Sequence, residues 1–305
     1  MTKTMRVFVT GATGWIGTAL LQELRAAGHD VLGLAHSDSG ADLLKARGVE
    51  VHRGDIKDPK SLVEAVQATD ATIHLAFHLD FSNLLESNRI DRAAISAMLD
   101  AMAGTNKAFV GTNGTLVFAR PGGVAFEADV PSVNSPLAIR FQAERLVVDA
   151  AKRGVRSSVI RLAPTVHGAG DKGFIAMLIN LAREKNAAGY IDEGQQHWPA
   201  VHRDDAARLY RLALESAPPG TVLHGAAEEG VPMRAIAETI HQGLGVPTKS
   251  VPAAEAGTHF GLISAAVGLD NRVSSQATRE LLGWKPERPG LLDDMRAHYF
   301  SSPAT

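Results

Sequence analysis

The sequence predicts an α/β fold, a doubly wound parallel sheet with a smaller C-terminal region, and three observations carry that prediction. Short apolar runs alternate with single amphipathic helical stretches through the first half of the chain. Three glycines, Gly11, Gly14 and Gly17, stand between the first apolar run and the first helical stretch. At 305 residues, 45% of them hydrophobic, the chain can bury one large core with a smaller appendage. Strands joined by single helices imply parallel pairing through right-handed crossovers.

Taken in order, residues 7–9 (VFV) read as a buried strand. From Trp15 the positions Ile16, Ala19, Leu20 and Leu24 keep helical spacing up to a stop at Gly28. Residues 29–35 read as a second strand and 39–48 as a helix ending at Gly48. A third strand over 49–56 precedes a helix over 60–68, and a fourth over 71–77 precedes one over 88–103. A fifth strand over 107–113, a helix over 137–153 and a sixth strand over 156–164 complete the series. These elements assign residues 1–168 to the first unit and 169–305 to a smaller, partly helical unit. Pro and Gly clusters at 218–220, 230–232 and 245–252 mark the irregular second half, although an amphipathic helix over 203–216 implies that 200–225 returns to the first unit.

The glycine spacing has a steric reason. A tight turn needs a residue without Cβ, a pyrophosphate must approach bare backbone, and the helix must pack closely on its strand. The amides and dipole at the helix start then face the phosphates, so this segment is expected to bind a dinucleotide. Composition narrows the classes further. The net charge of -2, with no basic run, offers no footprint for nucleic acid. No apolar stretch approaches membrane-spanning length, and no secretory leader pattern opens the chain, so a cytoplasmic protein is expected. The absence of cysteine excludes disulfides, thiol nucleophiles and thiolate metal sites. None of the 12 histidines belongs to an HExxH motif, and no metal site is expected.

Several motifs in sequence order resemble the extended short-chain dehydrogenase/reductases, relatives of sugar-nucleotide epimerases and dehydratases. They are TGATGWIG at 10–17, GDI at 54–56, HLA at 74–76, RLAPTVHGAGD at 161–171, VHRDDAA at 201–207 and LLGWKPE at 281–287, the last followed by an amphipathic helix near 290–300. The resemblance implies a Rossmann-type fold. It also implies a cofactor site built from Gly11, Thr13, Gly14, Trp15, Ile16, Gly17, His36, Ser37, Asp55, Ile56, Leu75, Ala76, Phe77, Thr112, Arg140, Ala163, Pro164 and Thr165. Family members often form homodimers through the helices corresponding to 88–103 and 137–153, and monomers also occur.

The catalytic motif departs from that family. Typical members carry YxxxK with a Glu four residues beyond the Lys. Anchoring on Glu144 puts Arg140 in the Lys position and Pro136 in the Tyr position. The three tyrosines, Tyr190, Tyr210 and Tyr299, have no Lys four residues later, and the usual Ser position falls on Gly114. An arginine holds a ribose and supplies charge but is a poor proton donor. Hydride transfer needs mainly positioning and polarisation, so the pattern resembles the atypical members that look like tyrosine-less ketoreductases.

Candidate catalytic residues are therefore Asn113, Thr115, Arg140 and His78. His78 is of the residue type suited to a general acid, or merely lines the cofactor. Asn113 and Thr115 either hydrogen-bond a carbonyl or form a turn. Asp80 and His167 also follow strand ends, with His167 where the family has a structural Tyr. Trp198 is a candidate pocket wall, Asp204 or Asp205 a helix cap, and His74 a satisfied core residue. The second strand ends in Ala35, His36 and Ser37 without an acid, which favours NADP(H) over NAD(H). The expected function is an NADP(H)-dependent oxidoreductase reducing a small-molecule carbonyl. The alternatives are a non-catalytic NAD(P)-sensing regulator resembling the NmrA-like proteins, and a sugar-nucleotide epimerase/dehydratase.

Overall fold

The computed structural model describes residues 4–78, 80, 83–131 and 138–300. The first half runs β1 (Arg6–Thr10), α1 (Trp15–Ala26), β2 (Asp30–Ala35), α2 (Asp38–Ala46), β3 (Glu50–Arg53), α3 (Val63–Gln67), β4 (Ala71–His74), α4 (Leu84–Met102) and β5 (Ala108–Gly114). It continues through β6 (Val124–Ala125), α5 (Phe141–Asp149), β7 (Arg156–Leu162), β8 (Thr165–His167), α6 (Phe174–Lys185), β9 (Ala188–Ile191), β10 (His197–His202) and α7 (Arg203–Ser216). The remainder comprises β11 (Thr221–Gly225), β12 (Glu228–Pro232), α8 (Met233–Leu244), β13 (Thr248–Val251), α9 (Ala256–Phe260), α10 (Ser264–Val267), β14 (Arg272–Val273), α11 (Gln276–Leu282) and α12 (Leu291–His298). Among the described residues no helix is long and apolar enough to cross a membrane.

The main sheet has seven parallel strands in the order β11-β7-β5-β4-β1-β2-β3. Period-two alternation explains how one strand serves two cores. Val7 and Val9 of β1 join the cluster beneath α1 and α7, whereas Phe8 joins the cluster beneath α3, α4 and α5. All three side chains are fully buried, which is why the strand reads as an unbroken apolar run. A separate core unites α6, α8 and α12 with Trp198 of β10, a strand paired with β8 and β12. Chain order reverses at β1, which has β4 on one side and β2 on the other. Ligands on such sheets bind at this crevice.

Several boundaries differ from expectation for local reasons. The third strand ends at Arg53, because Ser61 Oγ accepts from Asp55 N at 3.0 Å and turns the chain out of the sheet. The fourth ends at His74, after which Ala76 N donates to Thr10 Oγ1 at 3.2 Å. Helix α4 begins at Leu84, four residues early, capped by Asn83 Oδ1 accepting from Glu86 N at 3.1 Å. The helix expected over 137–153 is α5 flanked by tighter turns at Ala138–Arg140 and Ala150–Arg153; Leu137 lies outside the described residues.

Two side-chain expectations are corrected. The cap of α7 is His202, whose Nδ1 accepts from Asp204 N at 3.1 Å. Asp205 is buried and instead accepts from Glu287 N and Arg288 N, while Trp284 Nε1 donates to Asp205 O, so it pins the LLGWKPE segment to α7. Trp198 is fully buried with Nε1 donating to Ala266 O at 3.1 Å, so it presents no surface to an open cleft.

Candidate functional site

The turn between β1 and α1 shows why two of its positions exclude a side chain. Gly11 has φ +68°, and a Cβ there would stand 2.8 Å from Ala76 N. A Cβ on Gly17 would stand 2.1 Å from Gly11 O, inside any real contact distance. Gly14 closes the turn by donating to Gly11 O at 2.9 Å and then starts α1 with no side-chain cap. The first amides of a 12-residue helix are thereby left open toward the crevice, a ready anion site.

A cavity of about 440 Å³ opens there, walled by this turn and by the ends of β2, β3, β4 and β5. Of the residues expected to bind a cofactor, Gly11, Thr13, Gly14, Trp15, Ile16, Gly17, His36, Asp55, Ile56, Leu75, Ala76, Phe77 and Thr112 line it, and so does His78. Leu34 and Lys57 line it too and went unforeseen. Lys57 follows the GDI motif directly, and its position was the available signal. Ser37 instead caps α2, accepting from Gly40 N at 3.2 Å. Thr165 is buried, its hydroxyl donating to Pro199 O, and Ala163 is buried as well. Pro164 faces a second cavity of about 380 Å³, shared with Trp15, Val166 and Phe174. Among the described residues no group of three His, Cys, Asp or Glu side chains could hold a metal.

Arg140 precedes α5 and lies with its guanidinium carbon 4.0 Å from the centroid of the Phe77 ring, a cleft residue. Its Nε donates to Asn113 Oδ1 at 3.3 Å. Burial pulls this guanidinium below the usual arginine range, while the Asp91 carboxylate pushes the other way. The Tyr position, Pro136, lies outside the described residues.

Asn113 and Thr115 do not present free polar groups to the cleft. The Asn113 carbonyl oxygen also accepts from Gly114 N at 2.8 Å, and its Nδ2 donates to Glu144 Oε2 at 2.7 Å. Both ends of that amide are thus committed, and its service is to hold Arg140. Thr115 is fully buried and accepts from Asn271 Nδ2 at 2.9 Å, tying β5 to the C-terminal half. Glu144 is buried in turn against Arg161, 2.6 Å away. Arg161 also donates to the carbonyls of Glu127 and Asp129, and stacks 3.6 Å from the Phe118 centroid. Only long-range contacts create this chain of partners, and nothing in the local sequence announced it.

A second buried chain braces the other wall. Thr10 Oγ1 accepts from Ala76 N and is hydrogen-bonded to His74 Nδ1 at 2.7 Å. His74 Nε2 stands 3.2 Å from Asp91 Oδ1, where the carboxylate accepts from the ring. The histidine is a satisfied core residue, 2% exposed. His167 is likewise buried and paired with Asp294 Oδ2 at 2.8 Å.

Comparison with known proteins places this geometry. The model of the NAD dependent epimerase/dehydratase family matches residues 7–225. An uncharacterized protein of Saccharomyces cerevisiae is 43% identical over 297 residues, 97% of this chain and 99% of that one. The 4-hydroxy-2-methyl-3-oxo-4-farnesyl-3,4-dihydroquinoline-1-oxide ketoreductase of Stigmatella aurantiaca is 28% identical over 276 residues, 84% of this chain and 80% of that one. Among solved structures, the UDP-glucose 4-epimerase of Thermus thermophilus in complex with NAD superposes with a TM-score of 0.76 at 19% identity, covering 96% of this chain and 97% of the other. That last likeness is one of fold. With its glycine turn, switch-point cleft and matched length, the chain belongs to the NAD dependent epimerase/dehydratase family, and is an NAD(P)-dependent oxidoreductase of the short-chain dehydrogenase/reductase type.

Proposed function

We propose that this protein is an NADP(H)-dependent reductase of a carbonyl compound, working without the tyrosine that usually serves as acid in its family. The observation that carries the reading is Arg140, a half-buried cation whose guanidinium carbon lies 4.0 Å from the ring centroid of Phe77, a residue of the glycine-turn cleft. The bare backbone at Gly11 and Gly17 and the uncapped start of α1 fit a dinucleotide pyrophosphate. Asp55 and Ile56 would hold the adenine end, and Leu75, Ala76, Phe77 and Thr112 the nicotinamide end. When bound, the reduced nicotinamide supplies a hydride. Arg140 remains cationic and serves the ribose and the developing charge on the carbonyl oxygen. Phe77 fixes the plane of the guanidinium, and Asn113 fixes its direction. The oxygen then needs one proton, for which His78 on the cleft wall is the candidate donor, with water as the alternative. Relatives named as a ketoreductase and as a 2-alkyl-3-oxoalkanoate reductase support a carbonyl substrate.

The test follows NADPH, then NADH, at the nicotinamide absorbance band across ketones, quinones and polyketide-like carbonyls. Arg140→Ala should lower kcat/KM by about 100-fold or more, the scale of losing one preorganised charge at the reacting oxygen. His78→Ala should cost about 100-fold if it gives the proton, and little if water does. Tight NADPH binding without oxidation on any carbonyl would overturn the reductase in favour of a dinucleotide sensor.

A further inference from the structure

We propose that Arg53, carried on β3 and not on β2, acts with Lys57, beside His36, as the cationic site that selects a 2′-phosphorylated dinucleotide; this rests on the dinucleotide-binding reading above. The usual place for such a charge is the end of β2, and here that place holds Ala35. The sheet register puts Arg53 directly beside it, Ala35 pairing with Arg53 as the last rung of the edge strand. From there the Arg53 guanidinium crosses the connection to α2. Its Nη1 donates to Ser37 O, and its Nη2 meets Asp38 Oδ1 at 2.9 Å. His36 and Lys57 stand on the cleft wall on either side of this crossing in the chain, one after β2 and one after β3.

Two consequences point to a phosphate. Asp38 is the acid nearest the end of β2, the group that would accept from a ribose 2′-hydroxyl or repel a 2′-phosphate. It is 98% exposed and engaged by Arg53, so its charge is balanced, and the pair stands outside the cleft wall, beside the His36 and Lys57 that line it. Arg53 itself is half-exposed, and an ion pair this wet is weak. A phosphate dianion can therefore take over the guanidinium fork from a single carboxylate, with planar bidentate geometry in its favour. The anchoring bond to the Ser37 carbonyl keeps the fork in place while the acceptor changes. Asp55 is the opposing charge in the cleft, and its Oδ1 is occupied by Lys57 N at 2.9 Å.

The experiment titrates the whole protein with adenosine 2′,5′-bisphosphate, adenosine 5′-phosphate, NADPH and NADH by calorimetry, with no turnover required. The wild type should favour each 2′-phosphorylated ligand. Arg53→Ala should weaken those two by roughly 10- to 100-fold, the range of a charge-assisted hydrogen bond, and the other two by less than about twofold. Arg53→Lys should fall between, and a melting temperature close to wild type for Arg53→Gln would exclude a folding defect. Salt should weaken the 2′-phosphorylated pair more steeply in wild type than in Arg53→Ala. A wild-type preference that Arg53→Ala leaves intact would overturn the inference and spare the NADP(H) reading. No preference in wild type would overturn both, and failure to bind any of the four would overturn dinucleotide binding itself.

Discussion

The Glu144 carboxylate is the hinge of the chain that holds Arg140, and Glu144→Gln isolates its charge without changing its shape. Oε1 faces Arg161 Nη2 at 2.6 Å, and Oε2 accepts from Asn113 Nδ2 at 2.7 Å. A glutamine must place its NH₂ at one of those two points, so a donor meets a donor whichever way it turns. The Arg161 charge, 2% exposed, loses its counterion at the same time. Removing one partner of a buried pair costs about 3–5 kcal/mol. Because the remaining amide oxygen keeps one bond, the lower end, about 3 kcal/mol, applies. With an unfolding entropy of roughly 2.1 cal/mol/K per residue, 305 residues give about 0.6 kcal/mol/K, so Tm should fall by about 5 °C. Calorimetric or circular-dichroism melts read that shift. The double substitution Glu144→Leu with Arg161→Met should recover part of it, since an apolar pair leaves no unpaired charge. A Glu144→Gln protein melting within about 1 °C of wild type would refute the claim that this pair is buried and interdependent.

Other outcomes follow from the same geometry. Gly17→Ala must displace α1 from the turn, because its Cβ would lie 2.1 Å from Gly11 O. NADPH affinity should drop by at least about tenfold, measured by nicotinamide fluorescence, while the far-ultraviolet circular dichroism stays native. Burial holds the His224 imidazole below the ordinary value of 6.5, and its Nε2 faces Arg161 Nη1 at 3.3 Å. The unfolded chain then binds more protons than the native one below that value, so stability falls as pH drops from about 6.5 toward 5. His224→Gln should flatten the decline in Tm over that window, and an unchanged slope would assign it to other groups.

Much of the fold was legible because its causes are local. The positive φ of Gly11, and at Gly17 the closeness of Gly11 O within the same turn, demand glycine, and buried parallel strands demand continuous apolar runs. The match of the helix expected over 203–216 to α7 (Arg203–Ser216) has the same origin, a 3.6-residue apolar period. The missing tyrosine and the arginine in the lysine position were equally plain, being matters of identity and spacing. What those residues touch was not. For Asn113 and Thr115 the sequence leaves a carbonyl contact and a turn both open, whereas the Asn113 amide is committed to Glu144, 31 positions away, and Thr115 to Asn271, 156 positions away. The stretch 134–137 around the tyrosine position, like 79, 81 and 82 beside His78, lies outside the described residues.

By itself, then, the sequence determined the strand-turn-helix cradle, the alternation that builds the sheet and the loss of the usual acid, since each depends on backbone conformation or on which side chains exist. Tertiary structure alone decided that Arg53 reaches Ser37 and Asp38 from the neighbouring strand, and that Arg140 lies on Phe77 under the hold of Asn113. A hydrogen bond or ion pair is a relation between two positions, and their separation in space is set by packing the whole sheet.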